Sequence, residues 1–536
     1  MYLWPAAGIS LLLLNASLTF ENVWPTPKIH PGTSLSIELA VAVLLLVLAH
    51  AWAGRLARRV LPAVWVVLVL GRYLAVTGPG LYGREFNLYW DSAHLGNVAA
   101  MLAKAAPWWL TAAAAIVAVL LVALVYVLAR VAFGQVAAAI ERRGPRLAIG
   151  VLASLVILLF GAAPAREVNP HIASELRAGP VGIAFAHPVT PAYARQARSV
   201  LAMLGPRAVV PLPDSPPLDA NLRALEGADV LLVFLESYGA VTYDAPDMAA
   251  ALTSSRAALD AAISNTGRRV VSAYVDSPTF GASSWLAHLS LLTGIDVRDQ
   301  YTYASLMASD RETILAAFKR RGYRAVGLMP GMRQAWPEGA FYGFDVIYGR
   351  DGLAYPGPDF GWWSIPDQYA LAKLDALERT TRPRAPVLAV FPTSTTHAPF
   401  GPVAPYQADW ARLLTRTPYD ADEAPRAIAA RPDLTNLRPS YLRAMAYDFE
   451  SLAGYVRQQA DDPLLIIIGD HQPPAAVSGA GASWEVPVHV IGRRAALLDQ
   501  LLAHGFRPGL APARPSIGPM HGLVPVFLDA FSEPED

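Results

Sequence analysis

The first 165 residues hold five apolar stretches, each close to the roughly 20 residues an α-helix needs to cross a bilayer. They are Trp4–Phe20, Ser36–Ala53, Val60–Thr77, Trp108–Phe133 and Leu147–Ala163. So much apolar surface in series sets the class of this part of the chain: a helical membrane domain, residues 1–163. The composition agrees, since 54% of all residues are apolar and only 16% charged, below the ~25% charged of soluble domains. The first stretch lacks the basic start and small-residue cleavage site of a signal peptide, so it reads as a retained span. Arg72 interrupts the third stretch and reads as a snorkelling end residue.

The loops set an orientation. Arg55, Arg58 and Arg59 lie between the second and third stretches, and Arg130, Arg142, Arg143 and Arg146 at or beyond the end of the fourth. Placing both basic groups in the cytoplasm follows the positive-inside rule, and five spans then put everything after Ala163 on the outer side. The expected location is a bacterial-type plasma membrane with a large periplasmic or extracellular portion. The stretch from Gly78 to Pro107 falls on that same side and reads as an interfacial loop.

Lys plus Arg and Asp plus Glu both number 43, so no net basic field is available to hold a nucleic acid. The absence of cysteine excludes disulfides, Cys-ligated zinc, iron–sulfur clusters and a thiol nucleophile.

Residues 164–216 are polar and rich in Pro and Arg, with one amphipathic patch near Tyr193–Leu204, and read as a connector along the membrane surface. From 217 to 536 the pattern alternates. Short apolar runs of strand type stand at Ala228–Leu235, Arg269–Val275, Tyr323–Met329, Pro386–Pro392, Pro463–Ile468 and Val486–Ile491. Helical spacing appears at Ser283–Thr293, Thr313–Arg321, Ser440–Gln458 and Leu523–Phe531. Strands separated by helices predict an α/β domain with a mostly parallel sheet covered on both faces.

In such sheets the ligand site lies beyond the carboxyl ends of the strands. The first run ends in Glu236-Ser237-Tyr238-Gly239, and the run at Pro463–Ile468 in Gly469-Asp470-His471. The Pro386–Pro392 run leads to His397, and Arg269–Val275 leads to a hydroxyl cluster that includes Thr279, Ser283 and Ser284. Singly, each has an ordinary reading: a solvated loop carboxylate, turn chemistry, a helix N-cap, a surface histidine. Together they place oxygen ligands and an imidazole where a zinc or manganese ion is held, beside a hydroxyl that such an ion activates.

FLESYG, SSWLAHLSLLTG, THAPF and IIIGDHQPP resemble the motif series of the alkaline phosphatase/sulfatase superfamily. More closely, the chain resembles the membrane branch, the lipoteichoic acid synthase-like phosphoglycerol and phosphoethanolamine transferases. The resemblance implies five spans followed by an outer catalytic domain. It implies one divalent metal, manganese or zinc, on Glu236, Asp470, His471 and the nucleophile. It also implies a hydroxyl nucleophile at a helix start and, at His397, a contact to the substrate phosphate. Counting from the preceding glycine favours Ser283, counting back from Leu-Thr-Gly favours Ser284, and Thr279 comes third; Ser283 is the preferred assignment. Trp362, Trp363 and Asp367 in GWWSIPDQ loosely resemble a substrate-pocket segment, with stacked core tryptophans as the plainer reading.

The chain also departs from its relatives. The formylglycine signature of sulfatases needs Cys or Ser followed by x-Pro-x-Arg, which Ser283 and Ser284 lack. The disulfides usual in lipid A phosphoethanolamine transferases are impossible here. The expected function is therefore an integral membrane transferase. It would take a phospho-head-group from a membrane phospholipid to a glycan or lipid-linked acceptor, through a covalent phospho-serine. A phosphodiesterase or phosphatase would share the same residues with water as acceptor, and a non-catalytic envelope scaffold would not bring them together.

Overall fold

The computed structural model describes residues 3–23, 26–82, 86–105, 107–162, 177–178, 183–204, 211–333 and 336–533. The chain divides into two compact units, Met1–Ala208 and Val209–Asp536.

The first unit is helical. Its elements are α1 (Leu3–Thr19), α2 (Ile37–Leu48), α3 (Leu61–Tyr82), α4 (Leu88–Ala105), α5 (Trp108–Ile140), α6 (Arg143–Ala162) and α7 (Thr190–Leu204). Among the described residues, three helical stretches are long and apolar enough to cross a bilayer: Leu61–Pro79, Trp108–Ile140 and Arg143–Ala162. The apolar stretches of α1 and α2 are shorter. The second expected span gives a helix of only 12 residues because the chain leaves α geometry at His50, turning through His50–Trp52 and Leu56–Val60 before α3. Helices α1 and α3 pack on α5, and α2 packs on α6. At their centre the buried Trp65 meets Phe133 edge-on at 5.1 Å and donates to Ser17 Oγ at 2.9 Å.

Arg72 does not snorkel. It is buried, donating to Phe20 O at 2.8 and 3.1 Å and to His187 O at 3.3 Å. It thus ties α3 to the end of α1 and to the segment before α7. The expected loop at 78–107 is largely the helix α4, capped by Asn87 Oδ1, which accepts from Tyr89 and Trp90 N–H at 3.1 Å. The amphipathic patch of the connector forms α7, whose Tyr193 hydroxyl donates to Val67 O at 2.5 Å. Ala163 and most of the remaining connector lie outside the described residues.

The second unit is built on an eight-stranded sheet. In chain order its strands are β1 (Val230–Leu235), β2 (Arg269–Asp276), β3 (Arg324–Leu328), β4 (Val346–Tyr348), β5 (Val387–Pro392), β6 (Leu464–Gly469), β7 (Glu485–Gly492) and β8 (Arg507–Pro508). Their order across the sheet is β8-β2-β7-β6-β1-β5-β3-β4. Neighbours from β6 through to β4 pair in parallel. The three pairs from β6 to β8 are antiparallel, so the sheet is mixed. The reason lies in the connection from Gly469 to Glu485, which carries only the four-residue helix Ala475–Ser478. With no crossover helix of usual length, the chain turns back beside β6.

Strand β1 shows why an unbroken apolar run marks a central strand: all six residues are buried. Val230, Leu232 and Phe234 join one core cluster, together with Leu286, Leu289 and Phe527. Leu231, Val233 and Leu235 join the cluster on the other face, with Ile263, Tyr441 and Ala444. The covering helices are α8 (Thr253–Asn265), α9 (Ser284–Thr293), α10 (Asp367–Leu374), α11 (Arg438–Gln458) and α12 (Leu523–Ala530).

Candidate metal centre and active site

The carboxyl ends of β1 and β6 lie side by side, with Gly469 paired to Leu235, and each strand delivers its acidic residue at the next position. Two glycines permit the close approach. A Cβ on Gly469 would stand 1.8 Å from the Tyr238 carbonyl oxygen, and one on Gly239 1.8 Å from the Gln472 side-chain oxygen. Ser237, held at φ 58, joins the two loops: its N–H donates to Asp470 Oδ1 at 2.8 Å and its hydroxyl to Glu236 Oε1 at 3.0 Å. Tyr441 on α11 supports this turn by donating to Ser237 O at 2.8 Å.

Glu236, Asp470 and His471 offer one ligand atom each, all within 4.8 Å of one another, and all three residues are buried. His471 Nε2 lies 3.6 Å from Glu236 Oε1 and 3.6 Å from Asp470 Oδ2. Its Nδ1–H donates to Gln472 O at 2.7 Å, which leaves the Nε2 lone pair facing the carboxylates, as in a metal-ligating histidine. Burial, and then the neighbouring Glu236, push Asp470 up to about 6. Burial alone would lower His471, but Asp470 and Glu236 together raise it. Asp470 Oδ2 is buried with no hydrogen-bond partner. Two carboxylates and an imidazole converging on one point, with an orphaned oxygen among them, are an oxygen-and-nitrogen donor set that fits a divalent cation.

The hydroxyl brought onto this cluster is that of Ser284. It donates to Glu236 Oε2 at 2.9 Å and lies 3.1 Å from His471 Nε2. Ser283 stands one residue earlier as the N-cap of α9, in the left-handed region at φ 69. That twist presents the first helical residue, Ser284, to the ends of β1 and β6. The second serine of the pair is thus hydrogen-bonded to the cluster. Thr279 lies in the loop before α9 with its hydroxyl buried and without a hydrogen-bond partner.

His397 sits in the loop after β5. Two acids hold that loop. Asp367, at the start of α10, accepts from Ser394 N–H at 2.9 Å and Thr395 N–H at 2.7 Å. Asp448 on α11 accepts from the Thr396 hydroxyl at 3.1 Å. The loop also touches the Glu236, Asp470 and His471 cluster, since Thr393 Oγ1 accepts from Glu236 N–H at 3.0 Å. His397 donates Nδ1–H to Ala398 O at 2.9 Å, leaving Nε2 for a ligand, and burial pushes it down to about 4. Its ring lies 4.1 Å from that of Trp363. Trp362 and Trp363 are half-buried and line a pocket with His397 and Thr395, so they are not core residues. Arg333 stacks over Trp362 at 5.0 Å and donates to its carbonyl at 2.5 Å.

Sequence reasoning gave no role to Ser237, Asp448, Arg333 or His288. His288 lies one helical turn after Ser284, with its Nε2 3.8 Å from Asp470 Oδ2, and burial pushes it down to about 4. Its i, i+4 spacing from Ser284 was the available signal.

No family model and no curated protein matches this sequence. Among solved structures, the chain is similar to the lipooligosaccharide phosphoethanolamine transferase EptA of Neisseria meningitidis. The identity is 16% over 90% of this chain and 88% of that one, with a TM-score of 0.39. It is similar to the lipoteichoic acid synthase LtaP of Listeria monocytogenes at 15% identity, over 55% of this chain and 71% of that one, with a TM-score of 0.36. A protein of the alkaline phosphatase superfamily from Vibrio parahaemolyticus shares 17% identity over 59% of this chain and 74% of its own, with a TM-score of 0.34.

Proposed function

We propose that the chain is a multi-pass membrane transferase. It moves a phospho-head-group from a phospholipid to an envelope glycan or other acceptor through a covalent phospho-serine. The observation that carries this reading is the meeting of Glu236, Asp470 and His471 within 4.8 Å, with the Ser284 hydroxyl bonded to the cluster. In this reading α1 and α2 complete five spans in residues 1–163, 164–216 is the connector, and 217–536 is the catalytic domain outside a bacterial-type plasma membrane. Anchoring in the bilayer that holds the donor lipid is the physical use of the apolar helices.

Glu236, Asp470, His471 and Ser284 would hold a single divalent ion, manganese or zinc, which when bound would supply a Lewis acid that lowers the hydroxyl pKa and offsets phosphoryl charge. Ser284 Oγ attacks phosphorus as Glu236 Oε2, the acceptor of its hydrogen bond, takes its proton. The new bond is Oγ–P; the bond that breaks joins phosphorus to the diacylglycerol oxygen, which leaves as an alkoxide and takes its proton from solvent. His397 Nε2 faces the phosphoryl group, whose negative charge favours the protonated, hydrogen-bond-donating imidazole. The acceptor hydroxyl then reverses the first step on the other side of the intermediate.

The test is to give the purified, detergent-solubilised protein fluorescent phosphatidylglycerol or phosphatidylethanolamine with manganese or zinc and to follow labelled diacylglycerol. Release that needs metal and is lost in Ser284→Ala and Asp470→Ala supports the reading. No release from either lipid, with metal bound, points to a soluble phosphoester; neither release nor metal binding removes the enzyme reading.

A further inference from the structure

Asp470 has two oxygens with opposite circumstances. Oδ1 is saturated by the N–H groups of Ser237 at 2.8 Å and His471 at 2.7 Å. Oδ2 is buried and without a partner, and so is Nε2 of His288, 3.8 Å away. Two buried polar atoms left facing each other are rare in folded proteins, and each asks for a function. The His288 ring is placed by packing at 4.2 Å on Phe234, near the end of β1. It shares a face of α9 with Ser284, one turn earlier, so one helix presents a hydroxyl to Glu236 and His471 and an imidazole to Asp470.

We propose that His288 is a positioning residue for the metal centre, donating Nε2–H to Asp470 Oδ2 and so fixing the carboxylate that must also turn to the cation. This rests on reading Glu236, Asp470 and His471 as metal ligands. Oδ2 has lone pairs for both tasks: one toward the cation, the other toward His288. Closing the 3.8 Å gap by less than about 1 Å brings the pair to ordinary hydrogen-bond length. A carboxylate held on both oxygens cannot rotate out of the ligand set, and outer partners of this kind typically change metal affinity by about 10–100-fold.

The experiment measures manganese and zinc affinity of the full-length, detergent-solubilised protein by competition with a fluorescent chelator, for wild type and three variants. His288→Leu removes the donor, His288→Asn keeps a polar group too short to reach Oδ2, and His288→Gln puts an amide N–H near the place of Nε2. The expected result is affinity weakened about 10–100-fold in Leu and Asn and restored to within about 3-fold by Gln. Metal-free melting of Asn and Gln should be alike. If Leu does not fold, the Asn–Gln pair carries the test. Wild-type affinity in both Leu and Asn, or in Asn alone where Leu is lost, overturns the role of His288 and leaves the metal centre standing. No saturable binding by the wild type overturns both.

Discussion

Strand β1 carries a buried acid at each end, and the two are handled in opposite ways. At its start, Asp229 accepts hydrogen bonds from the guanidinium groups of Arg379 and Arg384 and from Val387 N–H. Burial alone would raise its pKa, but the two arginines and the Val387 amide win and lower it. At the other end, Glu236 faces a second acid, Asp470, and their ion-pair partners among the described residues are histidines. The first acid is matched by fixed cations and ties the start of β1 to the start of β5. The second sits in a cluster whose charge is balanced only when something positive arrives. The lesson is that burial of a charge does not mark function; the missing counter-charge does.

The largest effects should separate the two ends. Ser284→Ala should cut head-group release on the order of 10³-fold or more, as loss of a nucleophile does, without lowering the melting temperature. Ser283→Ala should keep most of the activity. At the opposite end, Asp229→Ala takes the shared carboxylate from the buried Arg379, which keeps Asp375, and from the half-buried Arg384. It should cost the second unit about 3–5 kcal/mol in denaturant unfolding. Glu236→Gln should leave stability unchanged or higher, since it removes one of two facing carboxylates; equal losses from both substitutions would erase the contrast.

Smaller effects probe the loop that carries His397. Asp367→Ala removes the acceptor for two loop N–H groups, Ser394 and Thr395. Head-group release should fall about 10-fold or more through mispositioning, while metal affinity, measured by chelator competition, stays at the wild-type value. The smallest effect is pH-dependent. Burial, and then Asp367, hold the Asp448 carboxyl well above its ordinary range. The folded state therefore binds a proton that the unfolded chain gives up, so Asp448 withdraws stability as pH rises from about 4 through its folded pKa. Asp448→Asn should show a melting-temperature advantage that grows from acid to neutral pH; a constant difference would show that Asp448 does not titrate in that window.

Much of this could be read in the residues. The continuous apolar runs at Ala228–Leu235 and Pro463–Ile468 marked buried strands because both faces of β1 and β6 are covered. Their carboxyl ends then located Glu236, Asp470 and His471. The contact of Ser284 with Glu236 and His471 was not legible, because it depends on the folded turn in which Ser283 takes a left-handed φ. His288 was hidden inside an apolar helical run, where a histidine looks like filling. The antiparallel side of the sheet depends on the connection after β6 rather than on any strand's own residues. Arg72 was misread because the carbonyl oxygens of Phe20 and His187, distant in sequence, satisfy its guanidinium.

A covalent head-group phosphoester on Ser284 can be seen directly. The full-length protein, given manganese and phosphatidylglycerol or phosphatidylethanolamine without acceptor, is quenched in acid, digested and examined by mass spectrometry. The added mass of the head-group phosphate is expected on Ser284, absent when metal is chelated and absent in Ser284→Ala. Diacylglycerol release with no adduct on any residue, or an adduct on Ser283, would contradict it.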